Sequence, residues 1–213
     1  ASLIKSIGAN NETIGLVGGK KISSYLGILG IIYAGCNYTP INSTYNINRI
    51  RNILESTKTK ILVGDSESIV DIQQKGIDLS HFKIIIPDEF KNFRSDWNYE
   101  KDLIKKNQLQ EPIYNKISDL CYILFTSGST GKPKGVNITN KNLLNFLKNM
   151  SKIYKLKPGF KASQTFDFSF DPSVSDIFFT WILGGTLCVI PENEKLIPTD
   201  FIKREKITFW NCV

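Results

Sequence analysis

Apolar residues come in two rhythms along this chain: short unbroken runs, as in Thr13–Val17 (TIGLV), and stretches in which they recur every third or fourth position. The first rhythm is that of a buried strand and the second that of a one-faced helix. TIGLV predicts a strand, Ser23–Ala34 a helix, GCNYTPINSTYN a loop, and Ile47–Glu55 a helix whose Ile47, Ile50 and Leu54 share a face. A strand at Lys60–Val63, a helix SESIVDIQQ ending at Gly76 and a strand Lys83–Ile86 stopped by Pro87 continue the alternation. From Asp88 to Ser118 the pattern weakens into a polar, charged stretch that reads as a surface excursion.

Beyond it, LCYILF (Leu120–Phe125) predicts a strand, and Asn140 is placed to cap a helix whose Leu143, Leu144 and Leu147 share a face. Phe166, Phe168 and Phe170 alternate within Thr165–Phe170, as in a strand with a buried side. A helix around Ser173–Leu183, a strand Thr186–Ile190, a helix TDFIKREK and a strand Ile207–Val213 follow. Repeated β-α alternation predicts an α/β fold, largely parallel sheets covered by helices. No internal repeat is present. The chain stops within an apolar strand, ITFWNCV, which suggests a piece of a longer protein.

Composition narrows the class. Over 213 residues, 41% apolar and 22% charged residues fit a globular chain with its own core. The formal charge of +7 could answer nucleic acid, a membrane surface or a phosphorylated ligand. The lysines are scattered, with no run of five basic residues, which favours a solvated surface, then a small-molecule phosphate, over nucleic acid. Cys36, Cys121, Cys188 and Cys212 form no Cys-x-x-Cys pair, so they read as buried thiols in a reducing compartment rather than as a zinc site or disulfide framework. The longest apolar stretch, Ile22–Cys36, falls short of the ~20 residues that span a bilayer and lacks a signal-peptide pattern. A cytoplasmic protein without membrane insertion is the expectation. His81, the sole histidine, sits beside Phe82 in a variable-looking half and reads as a structural or exposed residue rather than a catalytic one.

The stretch with chemistry in it is LFTSGSTGKPKGV, residues 124–136. A strand running into a Gly/Ser/Thr loop offers an anion site: glycines let backbone N–H groups turn to a ligand, hydroxyls donate further bonds, and lysines add charge. A plain surface turn would explain the glycines and Pro133 but not the dense hydroxyls and two lysines. The Walker pattern fails twice, because Thr126 stands where its first glycine belongs and Pro133 follows Lys132. A dinucleotide fingerprint is absent as well, since Gly128, Gly131 and Gly135 are spaced three and four apart.

Phe125–Gly135 matches at every defining position the signature of the adenylate-forming enzymes, an aromatic residue followed by TSGSTGxPKG, and the chain resembles that superfamily. The superfamily includes amino-acid adenylation domains of nonribosomal peptide synthetases, D-alanine–carrier-protein ligases, acyl-CoA synthetases and luciferases. The resemblance implies that Thr126, Ser127, Gly128, Ser129, Thr130 and Gly131 lie over the ATP phosphates, with Lys132 and Lys134 available to the polyphosphate. Tyr33–Ile50 (YAGCNYTPINSTYNINRI) is similar to a second block of the family, with Asn42 for a frequent aspartate and Asn46 for a frequent proline.

Thr165–Pro191 resembles the F-D-x-S-V-x-[DE] block of the amino-acid-activating members, with Phe170, Asp171, Ser173, Val174 and Asp176 in register. There the first aspartate pairs with the substrate's α-ammonium, a role that carries over to Asp171. A carboxylate at a helix start in a largely apolar pocket would bind a cation and reject an uncharged analogue. Pro172 and Ser175 carry over as pocket-lining residues, with Cys212 a further candidate. The bland reading of Asp171 is an N-cap ahead of Pro172, and that of Asp176, preferred there, a first-turn acid favoured by the helix dipole.

The resemblance therefore implies an incomplete large N-terminal domain of an adenylate-forming enzyme over residues 1–213, without the small C-terminal domain. It implies activation of an amino acid with ATP and Mg²⁺, giving aminoacyl-AMP and pyrophosphate, then thioester loading onto a phosphopantetheinyl carrier protein or domain. No catalytic residue and no metal ligand is assigned within the chain. The alternatives are a carboxylic-acid–CoA ligase and an inert fragment with weak nucleotide binding.

Overall fold

A computed structural model describes residues 1–87, 111–127 and 133–212. The chain forms two compact units, residues 1–140 and 141–213.

The first unit opens with a short helix α1 (Ser2–Ser6) and continues β1 (Thr13–Val17), α2 (Ile22–Tyr33), β2 (Asn37–Ile41), α3 (Ile47–Thr57), β3 (Ile61–Gly64), α4 (Ser66–Gln74), β4 (Lys83–Ile85), β5 (Leu120–Thr126) and β6 (Lys134–Thr139). Its six strands make one sheet in the order β4-β3-β1-β2-β5-β6. All neighbours are parallel except β5 and β6. From β1 the chain steps to β2 on one side and then crosses to β3 on the other, so the winding reverses at β1, as in doubly wound sheets.

Successive residues of a strand point to opposite faces, and both faces of this sheet are used. Leu16 and Val63 lie against Gly27 of α2. Their neighbours Val17 and Leu62 join Ile41 in a core with Ile50, Ile53 and Leu54 of α3 and Ile69 and Ile72 of α4. Helices therefore cover both faces, as the sequence pattern predicts. Two capping residues start the helices on the second face: Asn46 accepts the Arg49 N–H at 2.9 Å, and Asp65 accepts the Ser68 N–H at 3.1 Å and hydroxyl at 2.8 Å.

Two strands of this unit were not foreseen, nor was Lys161–Gln164 in the second. Residues 37–41 read as part of a loop because of Asn37, Thr39 and Pro40, yet they form a wholly buried strand between β1 and β5. Bonds from Asn37 N–H to Glu12 and from Gly18 N–H to the Ile41 carbonyl show that its odd-numbered residues bond to β1. Pro40 thus faces β5, where the ladder consists of the pair Tyr38 and Tyr122, and its missing N–H breaks no bond to β1. The other strand, β6, is an exposed edge whose polar KGVNIT shows no buried alternation. The excursion expected at Asp88–Ser118 falls largely outside the described residues, and its described part forms no helix or strand.

The second unit contains α5 (Asn140–Tyr154, begun on the last residue of the first unit), β7 (Lys161–Gln164), a helical stretch over 171–182, β8 (Thr186–Val189), a 3₁₀ turn Glu192–Glu194 and a last helix Thr199–Glu205. β7 and β8 pair in parallel, and Phe209 bridges Ala162 on the other side of β7, the described remnant of the strand expected at Ile207–Val213. Tyr154, Phe160, Phe179 and Phe209 pack edge-on or tilted, with centroids 5.1 to 6.3 Å apart.

Three expectations are corrected here. Leu143 and Leu147 are buried, but Leu144 is 48% exposed and lies off their face. Residues 165–170 are not a strand, because the Asp167 carboxylate accepts both the N–H and the hydroxyl of Ser169 and turns the chain. Consequently Phe168 is buried while Phe170 is 58% exposed.

Candidate functional site

β5 is buried from Cys121 to Phe125 and emerges at Thr126, which is exposed together with Ser127. β6 returns antiparallel from Lys134, and Thr126 and Lys134 are register partners. Paired residues of antiparallel strands project side chains on one face, so the side chains of Thr126 and Lys134 leave the sheet on the same face at the mouth of the turn. Gly128, Ser129, Thr130, Gly131 and Lys132 lie outside the described residues. A hydroxyl and a cation at the carboxyl edge of a mainly parallel sheet fit a polyphosphate.

Behind this mouth lies a residue to which the sequence reading assigned no role. Arg49, near the start of α3, stacks its guanidinium on Tyr45 with Cζ 4.1 Å from the ring centroid. Its Nη2 donates to the carbonyl of Phe125 at 3.4 Å, one residue before Thr126.

In the second unit, Asp171 begins the helical turn Asp171–Val174 and Pro172 follows it, while Phe170 occupies the capping position with extended backbone. Asp171 is therefore the first helical residue rather than the cap. Its side chain is exposed to solvent, where an apolar pocket was expected. Pro172 is half-buried and Ser175 is buried, the Ser175 hydroxyl donating to the Pro172 carbonyl at 2.7 Å. From Ser175 to Phe179 the helix widens into a π turn, a local expansion common at functional positions.

Asp176, expected as a first-turn acid, lies in the first turn of this π stretch. It is 1% exposed, and its Oδ1 accepts from the Asn211 amide at 2.9 Å. The same amide lies 3.2 Å from the Ser175 hydroxyl, while the Asn211 carbonyl accepts from Thr165 at 3.1 Å. Sequence reasoning offered Cys212 for this neighbourhood and missed its neighbour. Cys212 is exposed, and Asn211 makes the contacts with the π turn. The signal was faint: a polar residue inside the apolar run ITFWNCV.

Thr126, Ser127 and Lys134 are thus gathered in the first unit, and Asp171, Pro172 and Ser175 with Asn211 in the second. Among the described residues no group of three His, Cys, Asp or Glu side chains could hold a metal ion. Among them, too, no helix is long and apolar enough to cross a membrane.

The family described as AMP-binding enzyme matches residues 1–213. The chain belongs to the AMP-binding enzyme family. Gramicidin S synthase 2 of Brevibacillus brevis is 31% identical over 185 residues, a match that covers 87% of this chain and 4% of that protein. The crystal structure of IdnL7 superposes with a TM-score of 0.83 at 27% identity, covering 98% of this chain and 41% of its own. The Vibrio cholerae adenylation domain AlmE, solved in complex with glycyl-adenosine-5'-phosphate, shares the fold at a TM-score of 0.76 and 23% identity, with 98% of this chain and 42% of its own covered. The chain thus spans less than half the length of each of these three proteins. The likeness read from Phe125–Gly135 extends along the whole chain.

Proposed function

We propose that the protein carrying this chain activates an amino acid with ATP. A carboxylate oxygen of the amino acid attacks the α-phosphorus, the bond from that phosphorus to the bridging oxygen breaks, and pyrophosphate departs with the electron pair. The product is an aminoacyl-AMP, which the complete protein passes to the thiol of a carrier's phosphopantetheine as a thioester, releasing AMP. The setting would be the cytoplasm.

The observation that carries this reading is Asp171, an exposed carboxylate on the first helical residue of the FDPSVSD turn, able to receive a substrate ammonium. Membership of the AMP-binding family and the glycyl adenylate held by AlmE support it. In this reading Thr126, Ser127, Gly128, Ser129, Thr130, Gly131, Lys132 and Lys134 hold the β- and γ-phosphates, where charge builds on the leaving group. Asp171 orients the amine, and Pro172 and Ser175, with Asn211 beside them, face the substrate side chain. Mg²⁺ would neutralise polyphosphate charge when bound, without a ligand named from this chain.

The test is ATP–pyrophosphate exchange by the complete protein over a panel of amino acids, aryl acids and fatty acids. Exchange that depends on an amino acid and disappears in Asp171→Ala is expected. Unchanged amino-acid exchange in that variant overturns the role of Asp171, and exchange with uncharged acids alone points to a carboxylic-acid–CoA ligase. Exchange by the isolated 213-residue chain would dismiss the inert-fragment reading.

A further inference from the structure

Arg49 combines three features that together call for an explanation. Its Nε is buried without a hydrogen-bond partner among the described residues. None of the ion pairs among those residues involves its guanidinium. The guanidinium instead lies between the Tyr45 ring and the Phe125 carbonyl. An arginine retained only for surface solvation would leave its head group in water, and one retained for an ion pair would meet a carboxylate.

The sheet shows where the contact falls. Pro40, on the side of β2 facing β5, has no N–H to donate, and the β2–β5 ladder consists of Tyr38 with Tyr122. The Phe125 carbonyl lies three residues past that pair, toward the carboxyl end of β5, and is bonded by Arg49. The Asn46 cap fixes the first turn of α3 and hence where the Arg49 side chain leaves it. Tyr45 holds the guanidinium plane from the other side.

We propose that Arg49 is a positioning residue for nucleotide binding: braced on Tyr45, it holds the end of β5 so that Thr126 and Ser127 meet the phosphates of ATP. The inference rests on the phosphate-binding reading of LFTSGSTGKPKGV but not on which acid is activated.

The experiment measures MgATP binding by titration calorimetry to the complete protein with no acid present, alongside the Michaelis constants for ATP and for the amino acid in exchange. Arg49→Gln weakens MgATP binding about tenfold, the loss of a charge-assisted bond and its aromatic support. It also raises the ATP constant, leaves the amino-acid constant unchanged and shifts Tm by no more than about 4 °C. Arg49→Lys recovers part of the affinity, because an ammonium keeps the charge but cannot both stack flat and reach the carbonyl. Tyr45→Phe keeps the ring under the guanidinium and retains most of the affinity. Tyr45→Leu weakens MgATP binding, and its effect does not add to that of Arg49→Gln in the double variant, since both remove one brace.

Unchanged MgATP binding in Arg49→Gln overturns the proposal, as does equal damage to both Michaelis constants with a large fall in Tm, which marks a general packing role. If Arg49→Gln does not fold, Arg49→Lys and Tyr45→Leu decide the matter by the same criteria. A wild-type protein that binds MgATP but activates no amino acid overturns the substrate reading alone. One that binds no MgATP overturns both.

Discussion

Thr126 and Lys134 are register partners in the β5–β6 ladder, and their side chains share one face where the glycine- and hydroxyl-rich turn begins and ends. Lys134 is exposed, and none of the ion pairs among the described residues involves it. Its charge is therefore at the disposal of a ligand. Lys134→Ala is expected to weaken MgATP binding about three- to tenfold without changing Tm, and Lys134→Arg to retain most of the affinity. Calorimetry together with a thermal melt checks both halves; a fall in Tm with unchanged affinity would make Lys134 a structural residue.

Asp65 is 2% exposed at the carboxyl end of β3, where it caps α4 and pairs with Lys21 at 2.9 Å. Burial pushes its carboxyl up, but the bonds from the Lys21 ammonium and from the Ser68 hydroxyl and N–H outweigh burial and hold it below the ordinary value. A lowered folded pKa stabilises the fold at pH values above the ordinary aspartate value of about 3.9, and this contribution is lost as pH falls below it through the folded value. Asp65→Asn keeps a capping oxygen but not the charge. Urea denaturation should show a gap of about 1–2 kcal/mol between wild type and Asp65→Asn at pH 7 that narrows at pH 3. An equal gap at both values would mean that the charge contributes nothing.

Gly18 lies beside the same carboxylate. Its φ is +137°, and a Cβ built on it would sit 2.5 Å from Asp65 Oδ2 and 3.3 Å from Ser24 Oγ. Gly18→Ala must move Asp65 from its cap and adopt a backbone conformation unfavourable to alanine, at a cost of about 2–4 kcal/mol. At the next position, Gly19, a Cβ meets nothing within 4 Å, and Gly19→Ala should change stability by less than about 0.5 kcal/mol. Denaturation midpoints of the two variants make the comparison, and similar midpoints would refute it.

Asn211 donates to the buried Asp176 carboxylate at 2.9 Å. Asn211→Ala takes one donor from a buried carboxyl group, and a loss of about 1–3 kcal/mol is expected in urea denaturation. Asn211→Asp should cost more, because two carboxylates would then meet in a buried place. Asparagine-like stability in Asn211→Asp would show that the Asp176 side chain can turn away.

Much of the first unit was legible because burial there follows a single rhythm. β1, β3 and β5 are unbroken apolar runs between helices with one apolar face, and such runs are buried on both sides in a parallel sheet. β2 escaped because Pro40 argues against a strand unless one knows that it faces the side where the ladder lapses. β6 escaped because an edge strand with its side chains in water needs no apolar alternation. The false strand at 165–170 came from three alternating phenylalanines, overruled by the turn that Asp167 and Ser169 make with their own backbone.

Local chemistry could be read from the residues alone: a β-α rhythm, a hydroxyl- and glycine-rich turn with two lysines after a buried strand, and an aspartate beside a proline at a helix start. These depend on neighbours in the chain, and neighbours in the chain are visible in a sequence. Tertiary structure alone decided that Lys134 stands opposite Thr126, that Arg49 takes the carbonyl of Phe125 across 76 positions, and that Asn211 reaches Asp176 across 35. Pairings of that range depend on the order in which strands lie side by side and on which donors a sheet leaves unused, and neither is written into any one stretch of residues.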